Sequence, residues 1–288
     1  MSATTPPVTW AHSASMPDSV RLSFPHLVRS EWIKLRSIRS TIWCYAILVV
    51  LTIGMAALLG AFVVVPENAP QSVMNANFVS INTTGVSLSA LVVGVLGVLI
   101  ITGEYGTGQV RSTFTADPRR TGVILAKATV LALTTFVVSV VSTWIGVLLS
   151  ALLLSSDGAT AQIGDPSVFM PILGSSVYVT LLALLAYGIG LLVRSSAGGI
   201  AITLGILLVL PVILSLVAGL LNADWVGDVF RFLPDQAGSQ LFAYSSSGAE
   251  AGPTSGVVLN GWGGFGVLAA EVFVVGALAL TVARRRDV

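Results

Sequence analysis

Two carboxylates in this chain stand where carboxylates are expensive. Glu104 closes an apolar run that ends V-L-I-I-T-G-E, and Glu271 lies between Ala270 and Val272 in another. A carboxylate beside so much hydrocarbon must be paired, hydrated or turned to a cavity. At Glu104 this predicts a salt bridge at a helix end, to Arg36, Arg39 or Arg111. Glu271 admits two readings: recognition of a cationic substrate, or a hydrogen bond inside a helix bundle. Neither belongs to a catalytic set, because the sequence holds no Ser-His-Asp arrangement and no H-E-x-x-H. The ATP-cradling G-x-x-x-x-G-K-[ST] is missing as well. His12, His26 and the single Cys44 offer neither a metal set nor an internal disulfide.

The elements that position these residues follow from composition. Of 288 residues, 55% are hydrophobic and 9% charged, with a mean hydropathy of +0.92. Soluble domains carry about 25% charged residues, so this is an integral membrane protein. A net charge of +1 gives no case for nucleic acid.

Thirteen of the fourteen Lys and Arg residues fall in four clusters: Arg21 to Arg39, Arg111 to Lys127, Arg194, and Arg284 to Arg286. Basic residues near span ends prefer the cytoplasmic side, which places both termini there. Stretches of about 20 apolar residues predict six spans over residues 42–65, 79–102, 124–154, 168–193, 198–221 and 257–283. The expected fold is an all-α membrane protein, with one six-helix domain over 21–288 and a flexible cytoplasmic tail over 1–20. The tail lacks the features of a signal peptide.

Two cytoplasmic segments stand out. Around the predicted helix 25–41, in residues 25–43, Val28, Trp32, Leu35, Ile38 and Ile42 recur at helical spacing. With Arg29 and Arg36 off that stripe, the pattern predicts a basic amphipathic helix lying in the interface. Glu31 and Lys34 can pair at i,i+3. Residues 103–127 are long for a helix connection and carry a short apolar stretch with Phe114 at its tip, suited to docking a soluble partner. Elsewhere, Asn82, Thr83, Thr84, Ser87 and Ser89 make the outer half of the second span polar, for packing or for lining a path. Pro211 predicts a kink in the fifth span. Residues 222–256 predict short helices dipping into the outer interface.

These residues carry a family resemblance. Glu104, Gly108, Pro118, Arg120 and Lys127 resemble the loop between spans two and three of ABC-2-like (type II) exporter permeases, with Gln109 in place of the usual Thr. S-E-W-I-K-L-R-S-I-R-S-T from Ser30, G-L-L-V-R-S-S-A-G-G from Gly190 and F-L-P-D-Q-A-G-S-Q-L-F from Phe232 are similar to such permeases in high-GC Gram-positive bacteria.

The resemblance implies a half-transporter in a bacterial plasma membrane. Two copies would pair, as a homodimer, around a path lined by spans two and five. Each copy would receive a separate ABC ATPase subunit that supplies ATP and Mg; this chain itself would bind no cofactor. Coupling to the ATPase would fall to Glu31, Lys34, Arg36, Glu104, Tyr105, Gly108, Arg111, Phe114, Pro118 and Arg120. Asn82, Thr83, Ser87, Thr203 and Glu271 would serve the efflux path. The rival readings are a secondary transporter driven by an ion gradient, for which only Glu271 is a midplane ionisable group, and a membrane scaffold or self-resistance component.

Overall fold

A computed structural model describes residues 23–63, 66, 69–107, 121–156, 161–221, 224–245 and 257–285. They are helical, with no strand among them. In chain order the elements are α1 (Phe24–Ser37), α2 (Arg39–Phe62), α3 (Gln71–Thr107), α4 (Thr121–Ser156), α5 (Pro166–Val193), α6 (Ser196–Leu204), a π-helical turn (Gly205–Val209), α7 (Leu210–Leu221), α8 (Asp224–Arg231), α9 (Pro234–Ser239) and α10 (Gly261–Arg285). Among the described residues six helices are long and apolar enough to cross a membrane: α2, α3, α4, α5, the continuous α6–α7 run, and α10. The tail over 1–20 lies outside the described residues.

Spans two and four, α3 and α5, form the centre. In their most apolar stretches 61% and 67% of residues are buried, against 11% for spans five and six. Helices in lipid gain little from apolar burial against one another, so close approach and hydrogen bonds must hold them. Gly97 of α3 is one such approach. A Cβ there would fall 2.4 Å from the Ala183 carbonyl oxygen of α5. Hydroxyl bonds tie the outer spans to one another and to this centre. Tyr45 of α2 bonds Thr135 of α4 at 2.9 Å, Thr52 of α2 bonds Ser89 of α3 at 3.0 Å, and Ser150 of α4 donates to the Asn82 side-chain oxygen Oδ1 at 3.1 Å. Each is worth about 0.6 kcal/mol.

The chain departs from its apolar pattern in three places. First, the N-terminal helix ends at Ser37, and Ile38 is extended (φ −85°, ψ 117°). Residues 39–41 therefore start the first span rather than finish the amphipathic helix. Second, α3 runs 37 residues, about 55 Å at 1.5 Å per residue, well beyond the ~30 Å hydrocarbon core. Its polar start is built into the fold: buried Asn75 accepts from the Gln162 backbone N–H at 3.1 Å. Third, the expected kink in span five is a π-helical turn just before Pro211. Proline lacks an N–H, and its ring collides with the carbonyl four residues back. The backbone widens, so that the Leu210 N–H reaches the Gly205 carbonyl five residues away.

The predicted short helices between spans five and six are α8 and α9. Helix α9 is wedged between spans four and six. Fully buried Tyr178 of α5 donates to Asp235 at 2.8 Å. Gly174 and Gly264 leave room for the Leu241 and Ala237 carbonyls, which a Cβ would meet at 2.1 and 2.2 Å.

Candidate coupling site

The described basic residues gather at one end of the bundle, apart from Arg231, which lies at the other. At that basic end, Ser196 of α6 donates to Thr102 of α3 at 2.8 Å, and the Tyr187 hydroxyl of α5 donates to the Ile124 carbonyl of α4 at 3.0 Å. Arg194 turns the chain between spans four and five in the left-handed conformation (φ 56°). Its guanidinium stands 5.4 Å above the Tyr105 ring.

Inside this frame α1 folds back against α3 and α4, and four charges meet. Lys34 bonds Glu31 at 2.8 Å and Glu104 at 3.3 Å. Lys127 bonds Glu104 at 2.8 Å and Glu31 at 2.5 Å. The four side chains thus form a closed ring of alternating sign, Lys34–Glu31–Lys127–Glu104, contributed by α1, the end of α3 and the start of α4. Glu31, Glu104 and Lys127 are buried, and Lys34 is half-buried. Burial alone would push the Lys34 ammonium below its ordinary range. The hydrogen bond to Glu31 and the field of Glu104 outweigh it and hold Lys34 above that range.

Two carboxylates and two ammonium groups balance one another within the ring. Such an arrangement is poor at proton transfer and good at joining elements. A buried pair gives little net stability when formed, yet costs about 3–5 kcal/mol when one member is removed. The ring makes α1 inseparable from spans two and three.

Among the described residues Glu104 bonds Lys34 and Lys127 and not the expected Arg36 or Arg39; Arg111, the third expected partner, lies outside the described residues. Arg36 instead lies over the Trp32 ring, 5.9 Å from its centroid. Lys127 is left out of the coupling set by sequence reasoning, which places it only in a basic cluster and in the loop motif that carries the resemblance. It lies more than a turn inside α4, flanked by Ala126 and Ala128, and that depth is the signal that it needed a partner. The predicted apolar stripe of α1 is also divided. Leu35 faces the bundle, Trp32 faces out, and Ile38 breaks the helix. Satisfying the Glu31 carboxylate fixes the rotation of the helix and outranks burying the indole. Gly108, Arg111, Phe114, Pro118 and Arg120 lie outside the described residues.

The proposed path residues separate by face. Ser80, Thr83, Thr84, Ser87 and Leu88 of α3 line an open hollow of about 500 Å³ with Phe242. Asn82 is buried against α4, donating to the Phe78 carbonyl and accepting from Ser150. Thr203 is buried with its methyl group toward Gly94. Glu271 does not line the hollow. One of its oxygens is buried on α10 with no hydrogen-bond partner among the described residues.

Residues 27–210 match the model of the ABC-2 family transporter proteins. The chain belongs to the ABC-2 family. It is the membrane permease of an ABC-type transporter, a family whose permeases work with an ABC ATPase. No curated protein is a match by overall sequence similarity. The matched stretch holds all four members of the charge ring, whereas Glu271 and the α8–α9 segment fall beyond it.

Proposed function

We propose that this permease exports a hydrophobic or amphipathic compound from the cell, driven by ATP and Mg held in a separate ATPase subunit. Two copies pair around the path. In this reading the basic end of the bundle faces the cytoplasm with both termini, supported by the Lys and Arg distribution.

The observation that carries this reading is the charge ring. The segment read as suited to docking an ATPase, residues 103–127, joins α3 to α4. Glu104 and Lys127 lie at its two ends, and both are bonded into α1. A push on the segment or on α1 is therefore delivered to spans two and three together. Span two carries the hydroxyl-lined hollow on its opposite half, so the driven element is also the one that presents polar groups to a substrate. Tyr105 and Arg194 extend the joint toward the turn between spans four and five.

The test begins with the neighbouring reading frames, one of which should encode an ABC ATPase, and co-expresses that ATPase with the permease. The reading predicts a complex that survives purification and drives ATP-dependent uptake into inside-out vesicles. A permease that never captures that ATPase would overturn it.

A further inference from the structure

Helix α1 has three sides, and the charge ring accounts for one. The side carrying Glu31 and Leu35 is buried in the bundle. His26, Ser30 and Ser37 make a small, polar, exposed side. The third side holds Arg29, Trp32, Ile33 and Arg36, spaced i, i+3, i+4 and i+7, so they form one stripe. All four are exposed, with Trp32 at 42% and Ile33 at 59%.

The stripe continues past the break at Ile38 onto the outer face of span one, through Arg39, Ile42, Trp43 and Ile47, all exposed. Arg29, Arg36 and Arg39 make no ion pair with a described residue. The one carboxylate of α1, Glu31, is turned away into the ring.

We infer that this stripe binds the headgroup of an anionic phospholipid. Three observations fix the occupant. The charge is purely positive, and guanidinium groups match phosphate oxygens in a two-point geometry. Trp32 and Ile33 lie between the arginines, and an indole beside basic residues suits the headgroup layer. The stripe also merges into the lipid-facing surface of a spanning helix, so its phosphate partner lies at the depth where a bilayer supplies one. Because α1 is bonded through Glu31 and Lys34 to spans two and three, the lipid would bear on the coupling joint itself. The inference rests on the reading that places α1 at the membrane surface.

The experiment needs no ATPase, so its outcome is separate from that of the transport reading. The purified permease in detergent is titrated with phosphatidylglycerol or phosphatidylcholine, and bound lipid is counted by native mass spectrometry. The wild-type chain should bind phosphatidylglycerol more tightly. The preference should fall by up to about five-fold per arginine removed and vanish in R29Q/R36Q/R39Q, whose changes are all on exposed side chains. Trp32→Ala should weaken both lipids. Inorganic phosphate at matched concentration should not displace the lipid. Equal binding of the two lipids by the wild type would overturn the inference. So would an undiminished preference in the triple variant, or displacement by phosphate alone.

Discussion

Replacing Lys127 with methionine tests the ring where it is most exposed to failure. The methionine keeps most of the side-chain volume and removes the charge that touches both Glu31 and Glu104. Two buried carboxylates would then share Lys34, which is 37% exposed and 3.3 Å from Glu104. Removing one member of a buried ionic set costs about 3–5 kcal/mol, and the surviving Lys34 contacts put this case near 3. Against a total of about 5–15 kcal/mol the variant should still fold. At about 2–4 °C per kcal/mol for a chain of this size, its Tm should fall by about 6–12 °C.

The decisive arm is the double variant Glu31→Gln/Lys127→Met. It leaves Lys34 facing Glu104, one charge of each sign, and removes the excess carboxylate. Most of the lost Tm should return, with an interaction energy toward the upper end of the 0.5–3 kcal/mol range seen for contacting residues. Thermal unfolding of the purified permease, followed by intrinsic fluorescence, reads both. A Lys127→Met protein that melts with the wild type would refute the reasoning. A double variant no more stable than the single would refute it equally.

Four further expectations follow from the same geometry. Glu104→Gln should retain assembly with the ATPase but lower the substrate moved per ATP by about two- to thirty-fold, the range of a coupling residue; normal coupling in vesicles would exclude that role. Stability supplied by Lys34 is fully present below its ordinary value of 10.5 and is lost only as pH rises through its raised folded value. The difference in Tm between wild type and Lys34→Met should therefore stay flat from about pH 6 to 9. Filling the hollow with Ser87→Phe should block transport while leaving Tm unchanged, whereas Asn82→Ala should lower Tm by removing its bonds to Phe78 and Ser150; the reverse pattern would show that the two faces are misassigned. Gly264→Val should dislodge α9 at a cost of about 1–3 kcal/mol, seen as new protease sensitivity in the segment before span six.

The six spans were legible because a helix must hide its backbone from lipid inside about 20 apolar residues, and charge clusters are sparse enough to mark the ends. Three of the ring's four members were legible too. Glu31 and Lys34 are neighbours on any helix, and Glu104 had to find a cation. Lys127 was not assigned because a lysine near a span end has a cheaper use, pointing its ammonium to the interface; only the fold-back of α1 brings Glu31 within reach. That fold-back depends on the break at Ile38, and S-I-R carries no glycine or proline to announce it. In span two the hydroxyls were visible, but the division into a hollow-lining face and a packed face depends on where α2 and α4 sit. Pro211 announced a distortion in span five, and its form, a widened turn, required the backbone.

The central claim is that the ring transmits motion as well as stabilising the bundle. The direct measurement is substrate transported per ATP hydrolysed by the reconstituted complex, compared between wild type and Glu31→Gln/Lys127→Met. That variant is expected to be stable, yet it lacks the bond between α1 and span three. The account predicts near-normal ATP hydrolysis with a clear loss of transport per ATP. Full coupling in that variant would contradict it.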